Sequence, residues 1–404
     1  MVFFCRFFLK HTLTKNKKKH SVVFIGDCYY SFYYLAEALQ KRGWDALSVA
    51  TRPHFIHESQ FIYDNHLNLY DPQKKNWIKN LISFYKKIAK NYGMVHFYGR
   101  LNYWPTYFSV FYSDIKLLKK LGTKIGYSPT GCRDGVLQTE VYKITGGLCN
   151  KCILKKNPIA CSDKRNKRKV NAIGNMCDLL SYEMDWPTPH LRTSSIGFPL
   201  PMTFTLSSKV WHPLIQVPLE HKIARKSPAH IIILSAFGNE YSRSEDARDI
   251  KGIKFIRQAI NQLVSEGYPI QPMHANNIAS KDMKYIQVQA DIIVDQLNYG
   301  SIGAAAREGM MLGKPVICHI SQKIRLMNPA MKDCPAIDAT EESIYEVLKK
   351  LILSQKEKWE EIGQQSRMWM LKWFDADICA ERFEKVYDRL MQNLAPYSQD
   401  LLPQ

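Results

Sequence analysis

One stretch, Ala290 to Ile320, constrains the fold more than any other. Ala290–Asp295 is a short apolar run with polar ends, Gln296–Gly300 is a loop, and Ser301–Leu312 has a helical pattern. Gly313–Lys314–Pro315 stops that helix, and Val316–Ile320 is apolar again. Strand, loop, helix and strand in so little chain make the repeating unit of a parallel sheet. Ser301 is expected to cap the helix, with Gly313 and Pro315 ending it. Gly303, Ala304, Ala305 and Ala306 keep its first turn small, so that backbone can approach a sheet or a ligand. One carboxylate, Glu308, stands in the middle. A loop at the carboxyl end of a parallel strand, running into a helix N-terminus, is where open α/β sheets bind phosphorylated ligands.

The same alternation runs through the rest of the chain. Ser21–Gly26 reads as a buried strand, Tyr29–Arg42 as a helix stopped by Gly43, and Ala46–Val49 as a second strand. Further strands are expected at Val95–Tyr98 and Lys124–Tyr127, with helices over Trp77–Asn91 and Tyr107–Leu121. This order is doubly wound α/β. No Gly-x-Gly-x-x-Gly follows the first strand, which argues against a dinucleotide site there. Prolines from Pro199 to Pro228 break regular structure. Strand and helix order then resumes with His230–Leu234, Gly252–Gly267, Tyr268–Met273 and Ser280–Gln289. Helices over Glu341–Leu353, Lys356–Lys372 and Ala376–Asn393 close the chain. The expected plan is a tail (1–20), an N-terminal Rossmann-like domain (21–205), a linker (206–228), a C-terminal domain (229–375), and a final helix with its tail (376–404).

At 404 residues, with 46% hydrophobic and 23% charged residues, the chain is long enough for two globular cores. The net charge of +19 is concentrated. Met1–His20 carries six Lys or Arg and no acid, and Lys151–Val170 carries eight against Asp163 alone. Such stretches favour anionic lipid, nucleic acid or phosphorylated ligands, or are simply solvated. No run approaches the ~20 apolar residues of a membrane span. The expected location is the cytoplasm, with the basic stretches suited to the inner membrane face.

Cys132, Cys149, Cys152 and Cys161 fall within a basic insertion spanning 130–170. A Cys-x-x-Cys pair with two further thiols matches the tetrahedral four-sulfur set of structural zinc. An iron–sulfur cluster uses the same ligands. A redox pair and four unliganded thiols are the alternatives.

Arg248–Asp249–Ile250–Lys251–Gly252 resembles the Arg-x-x-Lys-Gly signature of nucleotide-sugar glycosyltransferases related to family 4. The block from Ala290 through Gly303 and Glu308 to Gly313–Lys314–Pro315–Val316 resembles their donor-binding block. The resemblance covers roughly Ile231 to Tyr387. It implies a GT-B fold, with two Rossmann-like domains facing a cleft and C-terminal helices packing back. It also implies a retaining hexosyltransferase-type reaction and places the donor ribose on Glu308, with Tyr299, Gly300 and Ser301 in the donor loop. One departure stands out. The family's first carboxylate, eight residues before the second, is Gly300 here, leaving its sugar contact to backbone or to Asp295.

The chemistry has its own logic. A departing nucleoside diphosphate needs charge stabilisation, which a helix N-terminus, Arg248 and Lys251 would supply without a metal. A nucleotide-diphosphate sugar is therefore the expected donor, and a glycan or lipid-linked molecule the acceptor, as in surface polysaccharide or glycoconjugate synthesis. His274, at a strand end, is a further donor-side candidate. His96, Arg133 and Asp134 are acceptor-side candidates, although a histidine in Val95–His96–Phe97–Tyr98 is equally a core residue. Glu308 could instead be an exposed helix residue, and Arg248 and Lys251 solvated charges. Two other functions stay open: a nucleotide-sugar epimerase or hydrolase on the same scaffold, and a non-enzymatic, metal-binding basic protein that binds nucleic acid.

Overall fold

The computed structural model describes residues 18–26, 30–49, 75–99, 112–129, 139, 142–143, 152–157, 161–181, 205–237, 240 and 250–396. In chain order, the first half contains β1 (Lys18–Gly26), α1 (Ser31–Lys41), β2 (Asp45–Val49), α2 (Trp77–Asn91) and β3 (Tyr92–Tyr98). It continues with α3 (Ser113–Lys120), β4 (Lys124–Ser128), α4 (Asp163–Met176) and β5 (Leu179–Leu180). The second half contains β6 (Ile231–Phe237), α5 (Ile253–Ser265), β7 (Ile270–Asn276), α6 (Ser280–Gln287), β8 (Ile292–Val294) and α7 (Ala304–Met311). After these come β9 (Val316–Cys318), α8 (Gln322–Met327), α9 (Pro329–Lys332), β10 (Ile337–Asp338), α10 (Ile344–Ile352), α11 (Lys356–Phe374) and α12 (Ala376–Met391).

The chain divides into two compact units. One comprises residues 1–136, 164–205 and 376–404, and the other residues 137–163 and 206–375. Each has a five-stranded sheet, in the orders β2-β1-β3-β4-β5 and β10-β9-β8-β6-β7, and every pairing is parallel. These are the same order: the first strand of each unit has the second on one side and the third on the other. The direction of winding therefore reverses between β1 and β3, and between β6 and β8. Open sheets of this kind bind ligands at that reversal, beyond the carboxyl ends of the strands.

In the first unit, alternate strand residues face opposite helix layers. Val23, Ile25, Val95, Phe97, Ile125 and Tyr127 form a buried cluster with side chains of α2, α3 and α4. On the other face, Phe24 and His96 meet Phe32 of α1 and Phe383 and Tyr387 of α12. The last helix in the chain thus completes the core of the unit that began it.

In the second unit, α5 and α10 cover one face around Ile256, Ile260, Leu348 and Leu351. Residues 206–228 pack onto this unit. Leu206 bridges to Asp375, Trp211 is fully buried, and the Arg225 guanidinium pairs with Asp291 at 2.7 Å. Their one regular piece is a 3-10 turn over Leu219–His221. No described helix is long and apolar enough to cross a membrane.

Candidate functional site

The winding reversal of the second unit lies between β6 and β8, so the residues leaving β8 command attention. Asp295 follows Val294 directly and is fully buried. One carboxylate oxygen accepts hydrogen bonds from the backbone N–H groups of Gly303 and Ala306, each at 3.2 Å. The other pairs with the Lys251 ammonium, itself only 9% exposed. Asp295 therefore caps α7 from outside the helix and ties it to the segment before α5. Backbone bonds reinforce the tie: Leu297 N–H donates to the Lys251 carbonyl at 3.1 Å, and Asn298 N–H to that of Ile250 at 3.2 Å.

This arrangement corrects the expected helix start. Ser301 is buried upstream, and the N-cap is Gly303. The Gln296 side-chain amide holds the Ser301 carbonyl at 2.6 Å, which keeps residues 301–302 out of helical conformation. Gly303 is required by close approach, because a Cβ there would lie 2.5 Å from the Asp295 carboxylate. Gly300, where the resemblance expects a carboxylate, has φ of +77°, a conformation that favours glycine. Its carbonyl accepts from Ser321 N–H at 2.9 Å. Tyr299 beside it is partly exposed.

Glu308 is not an exposed helix residue. It is 7% exposed, and the Gln287 amide at the end of α6 donates to its Oε2 at 2.8 Å. Ala304 and Ala305 lie one turn above Glu308 on the same helix face and are partly exposed. A single face thus presents first-turn backbone amides and, about 6 Å along the axis, a held carboxylate. At the far end of α7 the Arg367 guanidinium bonds the Met311 carbonyl, adding positive charge where the helix dipole is negative. Arg307 is buried on this helix too, with its guanidinium 5.5 Å from the Phe374 ring centroid.

His274 stands on β7 opposite Ser235 of β6. Its Nδ1 hydrogen-bonds the buried Ser235 hydroxyl at 2.6 Å, and its ring stacks on Phe237. Burial, and then the nearby Arg257 cation, hold its pKa below the ordinary histidine value. The imidazole is therefore fixed in orientation and biased to the neutral form, at a strand's carboxyl end.

His96 does not belong to any open site. It is fully buried in the first unit, with Nδ1 2.8 Å from the Tyr387 hydroxyl and Nε2 2.8 Å from that of Ser128. Ser181 closes the network at 2.7 Å from Ser128. Burial drives its pKa down to about 3, so it is a neutral, satisfied core residue. The acceptor-side expectation for it is withdrawn.

Arg133, Asp134, Arg248, Cys132 and Cys149 lie outside the described residues. Cys152 and Cys161 are partly exposed, and no group of three or more potential metal ligands occurs among the described residues. Gln287, Ser235 and the capping role of Asp295 were not expected from sequence. The one available signal for Asp295 was a carboxylate eight residues before a glycine at a helix start.

No protein-family model matches the chain, and no curated protein matches it in sequence. Solved structures do. Sucrose-phosphate synthase from Thermosynechococcus elongatus aligns with a TM-score of 0.56 at 14% identity, over 93% of this chain and 100% of that one. Anabaena HepE in complex with UDP-glucose aligns with a TM-score of 0.54 at 11% identity, over 93% and 100%. The catalytic domain of starch synthase IV from Arabidopsis thaliana, bound to ADP and acarbose, aligns with a TM-score of 0.54 at 10% identity, over 92% and 99%. With its two parallel-sheet α/β units, the chain has the GT-B fold of these proteins.

Proposed function

We propose that the protein is a glycosyltransferase that moves a sugar from a nucleoside-diphosphate donor to a hydroxyl acceptor. The observation that carries this reading is the α7 face, where first-turn amides stand above a carboxylate held by Gln287. A diphosphate at the amides and a ribose diol at Glu308 match that spacing and polarity. The neighbouring structures with UDP-glucose and with ADP support the same ligand class.

In the reaction the acceptor oxygen bonds to the anomeric carbon and the bond from that carbon to the diphosphate breaks. The acceptor proton passes to the departing phosphate oxygen. Retention follows if attack comes from the leaving-group side, which needs no protein nucleophile. Arg248 is assigned to the diphosphate as a charge-assisted donor. Lys251 acts through Asp295 by fixing the cap of α7, rather than as a free cation. His274, neutral and oriented, serves as a hydrogen-bonding group toward the donor. A glycan or lipid-linked acceptor, in surface polysaccharide or glycoconjugate synthesis, fits the basic character of the chain. For the cysteines we keep the reading that spacing supports: a structural zinc on Cys132, Cys149, Cys152 and Cys161. Bound zinc in the purified protein, lost in Cys149→Ser, is its test.

Thermal unfolding with uridine, adenosine and guanosine diphosphates tests the main proposal. One of them raises the melting temperature, and Glu308→Ala removes the shift. No shift with any diphosphate would defeat it. Product analysis with and without acceptor distinguishes transfer from hydrolysis.

A further inference from the structure

The two helix layers on the sheet of the first unit differ sharply in charge. On one face, α2, α3 and α4 together carry twelve Lys and Arg against two Asp. On the other, α1 and α12 carry four Lys and Arg against five Asp and Glu. Both layers cover one sheet, so the difference is not a property of the unit as a whole.

Burial sharpens the contrast. On α2 the exposed side chains include Lys79, Lys86, Lys87 and Lys90; on α3, Lys116 and Lys120; on α4, Lys164, Arg165, Lys167 and Arg168. Among the described side chains of this layer, every exposed charge is positive. Of the two acids, Asp114 is buried and Asp163 only partly exposed. Lys119, partly exposed, pairs with Asp178 at 3.0 Å. The helices are one surface. Tyr85 of α2 donates its hydroxyl to the Asp114 carbonyl of α3 at 2.7 Å. A cavity of about 480 Å³ lies between α3 and α4, lined by Tyr112, Lys116, Lys119, Ala172, Asn175 and Met176.

We propose that this layer is a docking face for an anionic phospholipid bilayer. Three neighbouring helices at about 8–10 Å spacing make a face roughly 20 Å across, and α2 extends it about 22 Å lengthwise. A duplex major groove, about 12 Å wide, admits one helix and not a layer of three. Single-stranded nucleic acid is held on exposed aromatic rings, and none of the exposed side chains on the described part of this layer is aromatic. Ten of the twelve cations are lysines, point charges suited to a diffuse sheet of headgroups rather than to forked recognition of one phosphate. Exposed Ile78 at the start of α2 and the apolar walls of the cavity give the face places to meet acyl chain. The proposal is independent of the transfer reading, since it needs neither donor nor acceptor.

The test is vesicle flotation of the full chain, with phosphatidylcholine alone and with about one-third phosphatidylglycerol. Binding is expected only with the anionic lipid, falling as salt rises. Each cation is worth about fivefold in partition, so loss of two lowers binding about thirtyfold, and Lys87→Glu/Lys90→Glu and Lys164→Glu/Lys167→Glu, which also add two anions, should each lower it by at least that much. Lys41→Glu/Lys385→Glu, an equal charge change on the opposite layer, should change it by less than about threefold. All these side chains are exposed; unchanged melting curves check folding, and Lys87→Gln/Lys90→Gln replaces the reversal if they move. The proposal is overturned by equal binding to both vesicle types, by no binding, or by equal sensitivity to the two layers. It also fails if removing residues 1–17 alone abolishes binding while the layer variants do not, or if the layer variants weaken only nucleic-acid binding.

Discussion

At the scale of single residues, the second unit turns on how a carboxylate is held. Gln287 is fully buried, donates to Glu308, and its own Oε1 has no partner among the described residues. The amide's orientation is thereby fixed, since a flipped Gln287 would set oxygen against oxygen. If Glu308 binds a ribose diol, Gln287→Leu should weaken nucleoside diphosphate binding about tenfold or more, the worth of a hydrogen bond to a charged group. It should also narrow the preference for the ribo- over the 2′-deoxy nucleotide, read by calorimetry. An undiminished preference would separate the two residues, and no preference in the wild type would remove Glu308 from the ribose instead. His96 supports a pH prediction. Its folded pKa, about 3, lies below the ordinary 6.5, so the unfolded chain binds the extra proton between those values. Its contribution to stability is intact above pH 6.5 and is lost as pH falls through that window, by about 1.4 kcal/mol per unit. Denaturant titrations at stepped pH should show this slope reduced in His96→Gln. Sequence left this residue between cleft and core, because a strand residue's face is settled only by its neighbours. Tyr387, one of those neighbours, is 291 positions away.

Among the elements, α7 shows why a helix can be legible while its start is not. The apolar run Ile292–Val294, the small residues after it and the Gly313–Pro315 stop all read correctly, because each is a local signal. Ser301 looked like the cap because serine ordinarily is one. The actual cap comes from Asp295, eight residues before Gly303, and no local pattern marks a carboxylate that folds back over a loop. Three consequences are measurable by urea denaturation. Gly303→Ala should cost about 1–3 kcal/mol, since the methyl displaces the capping carboxylate although φ there is ordinary. Asp295→Ala should cost more, about 3–5 kcal/mol, because it removes the cap and strands a buried ammonium. Lys251→Met should cost less than Asp295→Ala, since the helix N–H groups still hold the carboxylate. The reverse order would mean that the ion pair, not the cap, dominates.

Over the whole molecule, the doubly wound order of both halves was legible, because apolar strands and stopped helices alternate visibly. The charged helix layer was not. Its three helices are spread over about a hundred residues, and each alone reads as an ordinary amphipathic segment; only the sheet brings their outer faces together. The placement of α12 was also beyond local signals, since its apolar stripe says that it packs and not on what. Phe383, Val386, Tyr387 and Leu390 are buried there, each worth about 1.5–3 kcal/mol, against about 5–15 kcal/mol for a whole domain. A chain ending at Asp375 should therefore lose the unfolding transition of the first unit. A fragment of residues 206–375 should keep its own transition and, on the proposed function, its response to nucleoside diphosphate. Calorimetry of the two fragments decides both. This threading also sets a timetable for synthesis. The ribosome must finish the whole second unit before α12 emerges. At about 5–20 residues per second, the roughly 170 intervening residues take about ten to thirty seconds. For that interval Phe24 and His96 lack the helix that packs against them, so the nascent chain is most in need of a chaperone in its earliest-made half.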